Sequence, residues 1–128
     1  MISSKQLQDY LDEYLRCADF DDYAPNGLQV EGKANIARIA TAVTASAAVI
    51  DQARLQQADA LLVHHGYFWR GENPVICGMK RQRIAHLIKQ DMNLFAYHLP
   101  LDCHPDIGNN ACLAKLLEIG SILSLIHI

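Results

Sequence analysis

The sequence predicts an α/β fold, a mostly parallel sheet with helices on both faces. Two patterns point there. Ala58-Asp-Ala-Leu-Leu-Val63 is a nearly continuous apolar run, the mark of a strand buried on both faces of a parallel sheet rather than one alternating between core and water. Strand-like and helix-like segments also alternate along the chain, and parallel neighbours joined through helices give that order by right-handed crossovers. With 51% hydrophobic and 20% charged residues in a length of 128, the composition is that of one compact globular domain.

Taken in order, Ser3 or Ser4 can cap a first helix in which Leu7, Tyr10, Leu11, Tyr14 and Leu15 share one face, fading near Ala18. Pro25-Asn26-Gly27 signals a turn, because proline fixes one dihedral while Asn and Gly tolerate left-handed ones. Leu28 to Glu31 reads as a short strand. From Ile36 to Thr44, β-branched and small apolar residues predict another. Ser46 begins a helix through about Gln57, and the strand over 58–63 follows. A loop with Pro74 and Gly78 leads to a helix from about Lys80 to Gln90, with Ile84, Leu87 and Ile88 inward. Asn93 to Tyr97 is the next strand, and Asn110 to Leu117 the next helix.

Several function classes recede on composition. Eleven basic against fourteen acidic residues leave a net charge of −3, so no overall positive field is available to hold nucleic acid or anionic lipid. Met1-Ile-Ser-Ser-Lys5 leads straight into a polar amphipathic stretch without the apolar core of a secretion signal. No apolar run reaches the roughly 18 residues of a membrane span. Cys17, Cys77, Cys103 and Cys112 form no Cys-x-x-Cys pair, which predicts reduced thiols and a cytoplasmic setting.

Chemistry-bearing residues gather at strand ends. His64-His65-Gly66 closes the apolar run. Neighbouring residues inside a strand point to opposite faces, but at a strand end before glycine two imidazoles can address one ion, or one each. On its own the pair also fits a hydrogen-bonded loop. His98 and Asp102 follow the next strand, and in open α/β sheets ligands bind beyond the carboxyl ends of the strands, so both pairs should share one neighbourhood. Nitrogen and carboxylate donors suit zinc, manganese, iron or nickel, and a carboxylate such as Asp102 can bridge two ions about 3.5 to 4 Å apart. Capping or turn formation is the alternative for Asp102, and a buried histidine bonded to backbone the alternative for His98. Two ions need roughly six or more ligands, so further donors must come from outside this set. Cys103 and His104 are weaker candidates, His86 reads as surface or core, and His127 falls in the tail.

Two other features draw notice. Lys80-Arg81-Gln82-Arg83 opens a helix with charges that oppose its dipole; a solvated face accounts for it, with a bound phosphate or nucleic acid as the alternative. The polar loop Asp22 to Gly32 reads as a pocket wall or as a plain turn.

Asp22-Tyr-Ala-Pro-Asn-Gly-Leu-Gln-Val-Glu-Gly32, Val63-His-His-Gly-Tyr-Phe-Trp69, Gly78-Met-Lys-Arg81 and His98-Leu-Pro-Leu-Asp102 through Gly108-Asn-Asn110 together resemble the YbgI-type dinuclear metal-binding family. Its members carry the name type 2 GTP cyclohydrolase I, or are described as homologues of a yeast transcription-factor interactor. The match runs from Met1 to about Ile119. The resemblance implies an α/β fold, two divalent ions per full-length subunit (zinc, iron, manganese or nickel), and a ring-shaped hexamer whose sites face an internal cavity. It implies His64, His65 and Asp102 as metal ligands and His98 as a site-lining residue suited to proton transfer. The family's remaining ligands, a histidine and a glutamate, lie near the end of a chain about twice as long. This sequence is therefore expected to be part of a larger α/β protein, with residues 1–119 forming its metal-binding region. The expected activity is metal-assisted hydrolysis of a small, nucleotide-like substrate. A metal-binding scaffold or regulatory interaction protein is the competing class, and DNA binding through the ring a third, which the net charge disfavours. Residues 120–128 are expected to be a non-native or truncated tail, since Leu123-Ser-Leu-Ile-His-Ile128 back-translates to a transposon end used in preparing sequencing libraries.

Overall fold

In the computed structural model, residues 1–121 are described; most of the expected tail at 120–128 lies outside them. The chain runs β1 (Ile2–Ser3), α1 (Ser4–Tyr14), a 3-10 turn (Cys17–Asp19), β2 (Gly27–Val30), β3 (Asn35–Ile36), β4 (Ile39–Thr44), α2 (Ala47–Leu55), β5 (Ala60–His65), α3 (Gly78–Lys89), β6 (Asn93–Ala96), α4 (Leu99–Asp102) and α5 (Asn109–Leu116). The main sheet has the order β2-β6-β5-β4. Strands β4, β5 and β6 are parallel, as expected for strands joined through helices, and β2 is added antiparallel to β6 at the edge.

Strand parity sorts the core into two layers. Leu61, Val63, Leu94 and Ala96 face Ile50 and Ala53 of α2 and Ile84 and Leu87 of α3. Ala60, Phe95 and Tyr97 face Leu7 of α1 and Leu15 just beyond it. Both faces of the sheet therefore carry helices, and each large side chain taken fully out of water contributes about 2 kcal/mol.

Local chemistry sets the boundaries. Helix α1 starts where Ser3 Oγ accepts from the Gln6 N–H at 3.1 Å while Gln6 Oε1 accepts from the Ser3 N–H at 3.0 Å, a reciprocal cap. Ser46 caps α2 in the simpler way, accepting from the Val49 N–H.

Three expectations need correction. The strand expected to run without a break from Ile36 divides: Asn35–Ile36 pairs with β1 in a separate two-stranded sheet, and the N–H groups of Ala37 and Arg38 turn to Asp59 Oδ2, each at 3.0 Å. Ile88 is exposed instead of inward, because Ile84 and Leu87 already define the buried stripe of α3. Tyr10 and Tyr14 are also exposed, at 60% and 42%. They stand over an open apolar groove lined by Thr41, Val43, Leu62 and Ile107, beside the edge strand β4.

The amino-terminal end of the parallel strands is closed by a polar lock. Asn93 is completely buried. Its Oδ1 accepts from the Gly32 N–H at 2.9 Å, and its Nδ2 donates to the carbonyls of Lys33 and Asp59 at 2.8 and 3.2 Å. Asp59 also accepts from Lys33 Nζ at 2.7 Å. That bond, with the two backbone N–H groups, lowers its carboxyl to about 2.

Candidate metal centre

At the opposite end, β5 and β6 run parallel with Val63 beside Ala96, so the residues after them emerge together. Pairing to β6 stops at Val63, while His65 is still paired to Thr44 of β4. Freed on one side, the strand end brings the adjacent His64 and His65 rings to 4.4 Å between centroids, tilted by 41°. His98 packs 4.9 Å from His64 and 5.8 Å from His65. One ligand-capable nitrogen from each of the three lies within 4.8 Å of the others. Trp69 meets the His98 ring edge-on at 4.9 Å and lies 6.0 Å from the ring of His65.

Hydrogen bonds set the direction of two imidazoles. A carbonyl only accepts, so His64 Nδ1–H donates to Tyr97 O at 3.0 Å and the Nε2 lone pair is left for the site. A carboxylate likewise only accepts, so His98 Nδ1–H donates to Asp22 Oδ1 at 2.7 Å. His65 Nδ1 sits 3.3 Å from Thr44 Oγ1, a hydroxyl that can play either part. Burial, and then the neighbouring His64 and His98, hold His65 below the ordinary imidazole range. Neutral imidazole is the form that coordinates metal.

Asp102, at the end of α4, places Oδ2 3.4 Å from His64 Nε2, and its Oδ1 accepts from Asn109 Nδ2 at 2.6 Å. With neutral His64, a lone pair and a carboxylate face each other, an arrangement a cation between them relieves. With imidazolium, 3.4 Å is longer than a good charge-assisted bond. The donor set thus fits a borderline divalent ion. Asp102 reaches the cluster through His64 and is outside the tight trio of nitrogens.

The weaker candidates lie elsewhere. His104 packs on the Tyr14 ring and its Nδ1 accepts from the N–H groups of Asp106 and Ile107. Cys103 lines the same recess as His104, with its thiol pushed up by burial and then by Asp102 and Asp22. His86 is half exposed, 4.0 Å from Asp51. In the basic run, Lys80 is engaged by Glu72 at 3.3 Å and lies over the Phe68 ring.

Comparison with known proteins now bears on this geometry. The family model for Duf34/NIF3 (NGG1p interacting factor 3) matches residues 2–126. The chain belongs to the Duf34/NIF3 family. A Yersinia pestis protein named GTP cyclohydrolase 1 type 2 homolog is 57% identical over 124 residues, covering 94% of this chain and 50% of the relative. An Escherichia coli K12 protein of the same name is 55% identical over 118 residues, covering 92% and 48%. The solved structure of the protein ybgI, described as of unknown function, superposes with a TM-score of 0.89 at 55% identity, over 91% of this chain and 47% of that one. A Thermus thermophilus structure gives 0.85 at 44% identity, over 91% and 48%. The chain spans about half the length of the curated relatives it matches.

In this Duf34/NIF3 chain the loop that read as a pocket wall or as a plain turn is a brace. Asp22 accepts from His98 Nδ1, the Leu99 N–H and Asn26 Nδ2, and Asn26 Oδ1 accepts from the His98 N–H at 2.8 Å. Further along, Gln29 Oε1 accepts from the Tyr67 N–H at 2.7 Å, and Gln29 Nε2 donates to Pro25 O. Gly66 is tight against this brace, since an added Cβ would collide with Gln29 Oε1 and lie 2.7 Å from the Ala96 Cβ. Sequence reasoning gave none of Asp22, Asn26 and Gln29 a role at the site, and Asn26 only that of a turn former. The available signal was three amide or carboxylate side chains within the short stretch from Asp22 to Gln29, more hydrogen-bonding capacity than a plain turn uses.

Proposed function

We propose that this chain carries the amino-terminal metal-binding part of a dinuclear, divalent-metal-dependent hydrolase acting on a small substrate. The names of its relatives suggest a nucleotide such as GTP. The reading rests on one observation, the convergence of three imidazoles and a carboxylate at the ends of two adjacent parallel strands. His64, His65 and Asp102 are assigned to hold two ions, among zinc, iron, manganese and nickel, together with donors from outside this chain. Bound ions would supply Lewis acidity and a water that deprotonates near neutral pH.

His98 is assigned to proton transfer. Its Nε2 is free to accept while Nδ1–H is held by Asp22, and its ring touches both His64 and His65, within reach of a substrate seated there. Trp69 packs edge-on against the His98 ring and beside that of His65, flanking the cluster on that side. The same proposal places the full-length protein in the cytoplasm as a ring-shaped hexamer.

The test is to prepare the full-length protein, measure bound metal per subunit, and follow hydrolysis of GTP and other nucleotides with and without a chelator. Two ions per subunit and chelator-sensitive turnover are expected. Tight metal binding with no turnover of any nucleotide would replace the enzyme by a metal-binding scaffold.

A further inference from the structure

The carboxylate of Asp22 is 3% exposed, nearly withdrawn from water, although it stands in a loop. Burial pushes its carboxyl up, but bonds from His98, Asn26 and the Leu99 N–H outweigh that and hold it below its ordinary range. Four groups converge on its two oxygens. Oδ1 accepts from His98 Nδ1 at 2.7 Å and the Tyr23 N–H at 2.6 Å, and Oδ2 accepts from the Leu99 N–H at 2.8 Å and Asn26 Nδ2 at 3.0 Å. Only one of the four is an imidazole, and it is the one facing the histidine cluster.

We propose that Asp22 is a positioning residue: it fixes the Nδ1–H tautomer and ring orientation of His98, so that the Nε2 lone pair is presented to the metal centre. Free neutral histidine favours the opposite tautomer, so the protein must impose this one. His64 has the same outcome imposed by a carbonyl, that of Tyr97. A full carboxylate under His98 does more, because it raises the electron density at Nε2 beyond what a carbonyl gives. The importance of His98 rests on the hydrolase reading above, whereas the tautomer imposed by Asp22 does not.

Asp22 also ties down the first turn of α4 through the Leu99 N–H, and a structural role alone would require no particular tautomer. The test separates the two. The 128-residue chain is labelled with 15N, and the imidazole nitrogens are read by long-range proton–nitrogen correlation near pH 8, where histidine is neutral (about 6.5 when unperturbed). In the unaltered chain His98 is expected as the Nδ1–H tautomer. Asp22→Asn keeps an oxygen for the Leu99 N–H but can turn an amide donor toward His98, and is expected to convert it to Nε2–H. Zinc affinity, titrated in the same samples, should change much less than the tautomer, because His98 lines the site and is assigned to proton transfer, with His64, His65 and Asp102 as the ligands. Asp21→Asn, a change at the exposed neighbour that pairs with Arg70, should alter neither readout.

An Nε2–H tautomer in the unaltered chain overturns the proposal, and this needs no variant to fold. So does an Asp22→Asn protein that keeps the Nδ1–H form. If the tautomer converts as expected while the unaltered chain binds no zinc, positioning by Asp22 stands and the metal reading falls.

Discussion

The two ends of the parallel sheet differ in how they treat buried polar groups. At the amino-terminal end, Asn93 and Asp59 are saturated by Gly32, Lys33, Ala37 and Arg38. At the carboxyl end, His64 and His98 each use one nitrogen to hold their place and leave the other facing the cluster. Saturation gives stability and little else, because a satisfied group has no valence left for a ligand. Open valence directed inward is where binding arises.

The contrast can be broken by exchanging the penalties. The largest effect is expected from His64→Ala, which removes a donor and should cost about 3 to 4 kcal/mol of zinc affinity, one ligand's share of a structural site. Calorimetric titration reads this, while denaturant unfolding should show only the smaller loss, about 1 kcal/mol, of the single bond to the Tyr97 carbonyl. Asn93→Ala should do the reverse. It leaves the Gly32 N–H and the Lys33 carbonyl without their partner, and should destabilise by about 2 to 3 kcal/mol in urea unfolding. Zinc affinity of the folded fraction should be unchanged. An equal loss of affinity in both variants would erase the distinction between the ends.

Gly66→Ala tests the brace between them, since its Cβ meets Gln29 and Ala96. About 1 to 2 kcal/mol of overpacking is expected, together with a weakened zinc site, because the strain falls directly after His65.

The smallest effect lies in acid, where the ends should separate by pH. Asp59 has a folded value of about 2, below its ordinary 3.8. Its contribution is therefore present above 3.8 and lost as pH falls toward about 2. After allowance for solvent screening, that is on the order of 1 kcal/mol. His65 is held below 6.5, so the unfolded chain takes up its proton first, and stability falls as pH drops below 6.5 through the folded value. Unfolding measured against pH should show a shallow loss in weak acid that His65→Gln removes, and a separate loss in strong acid that Asp59→Asn removes.

Much of the architecture was legible because it follows from burial. The apolar runs before His64 and before His98 had to be interior parallel strands, and their ends had to lie together. Long-range partners were not legible. Nothing local shows that Asp59 draws in the N–H groups of Ala37 and Arg38 and so divides a strand, or that β2 joins β6 antiparallel with a bulge between Leu28 and Val30. Helical spacing grouped Tyr10 and Tyr14 with Leu7 but could not reveal that the sheet beneath them is only partly roofed. At the site the histidines were found from residue type and strand position. Asp22, Asn26 and Gln29 were missed because their partners lie far along the chain, and only the folded backbone brings them within reach.

The stretch from Asp22 to Gln29 grips the turn after His65 with one end and the turn at His98 with the other. A displacement of that stretch must carry both turns along with it. The spacing among the imidazoles would then survive thermal jostling that shifts the whole corner, in the way a clasp keeps its gap when the chain it hangs on swings.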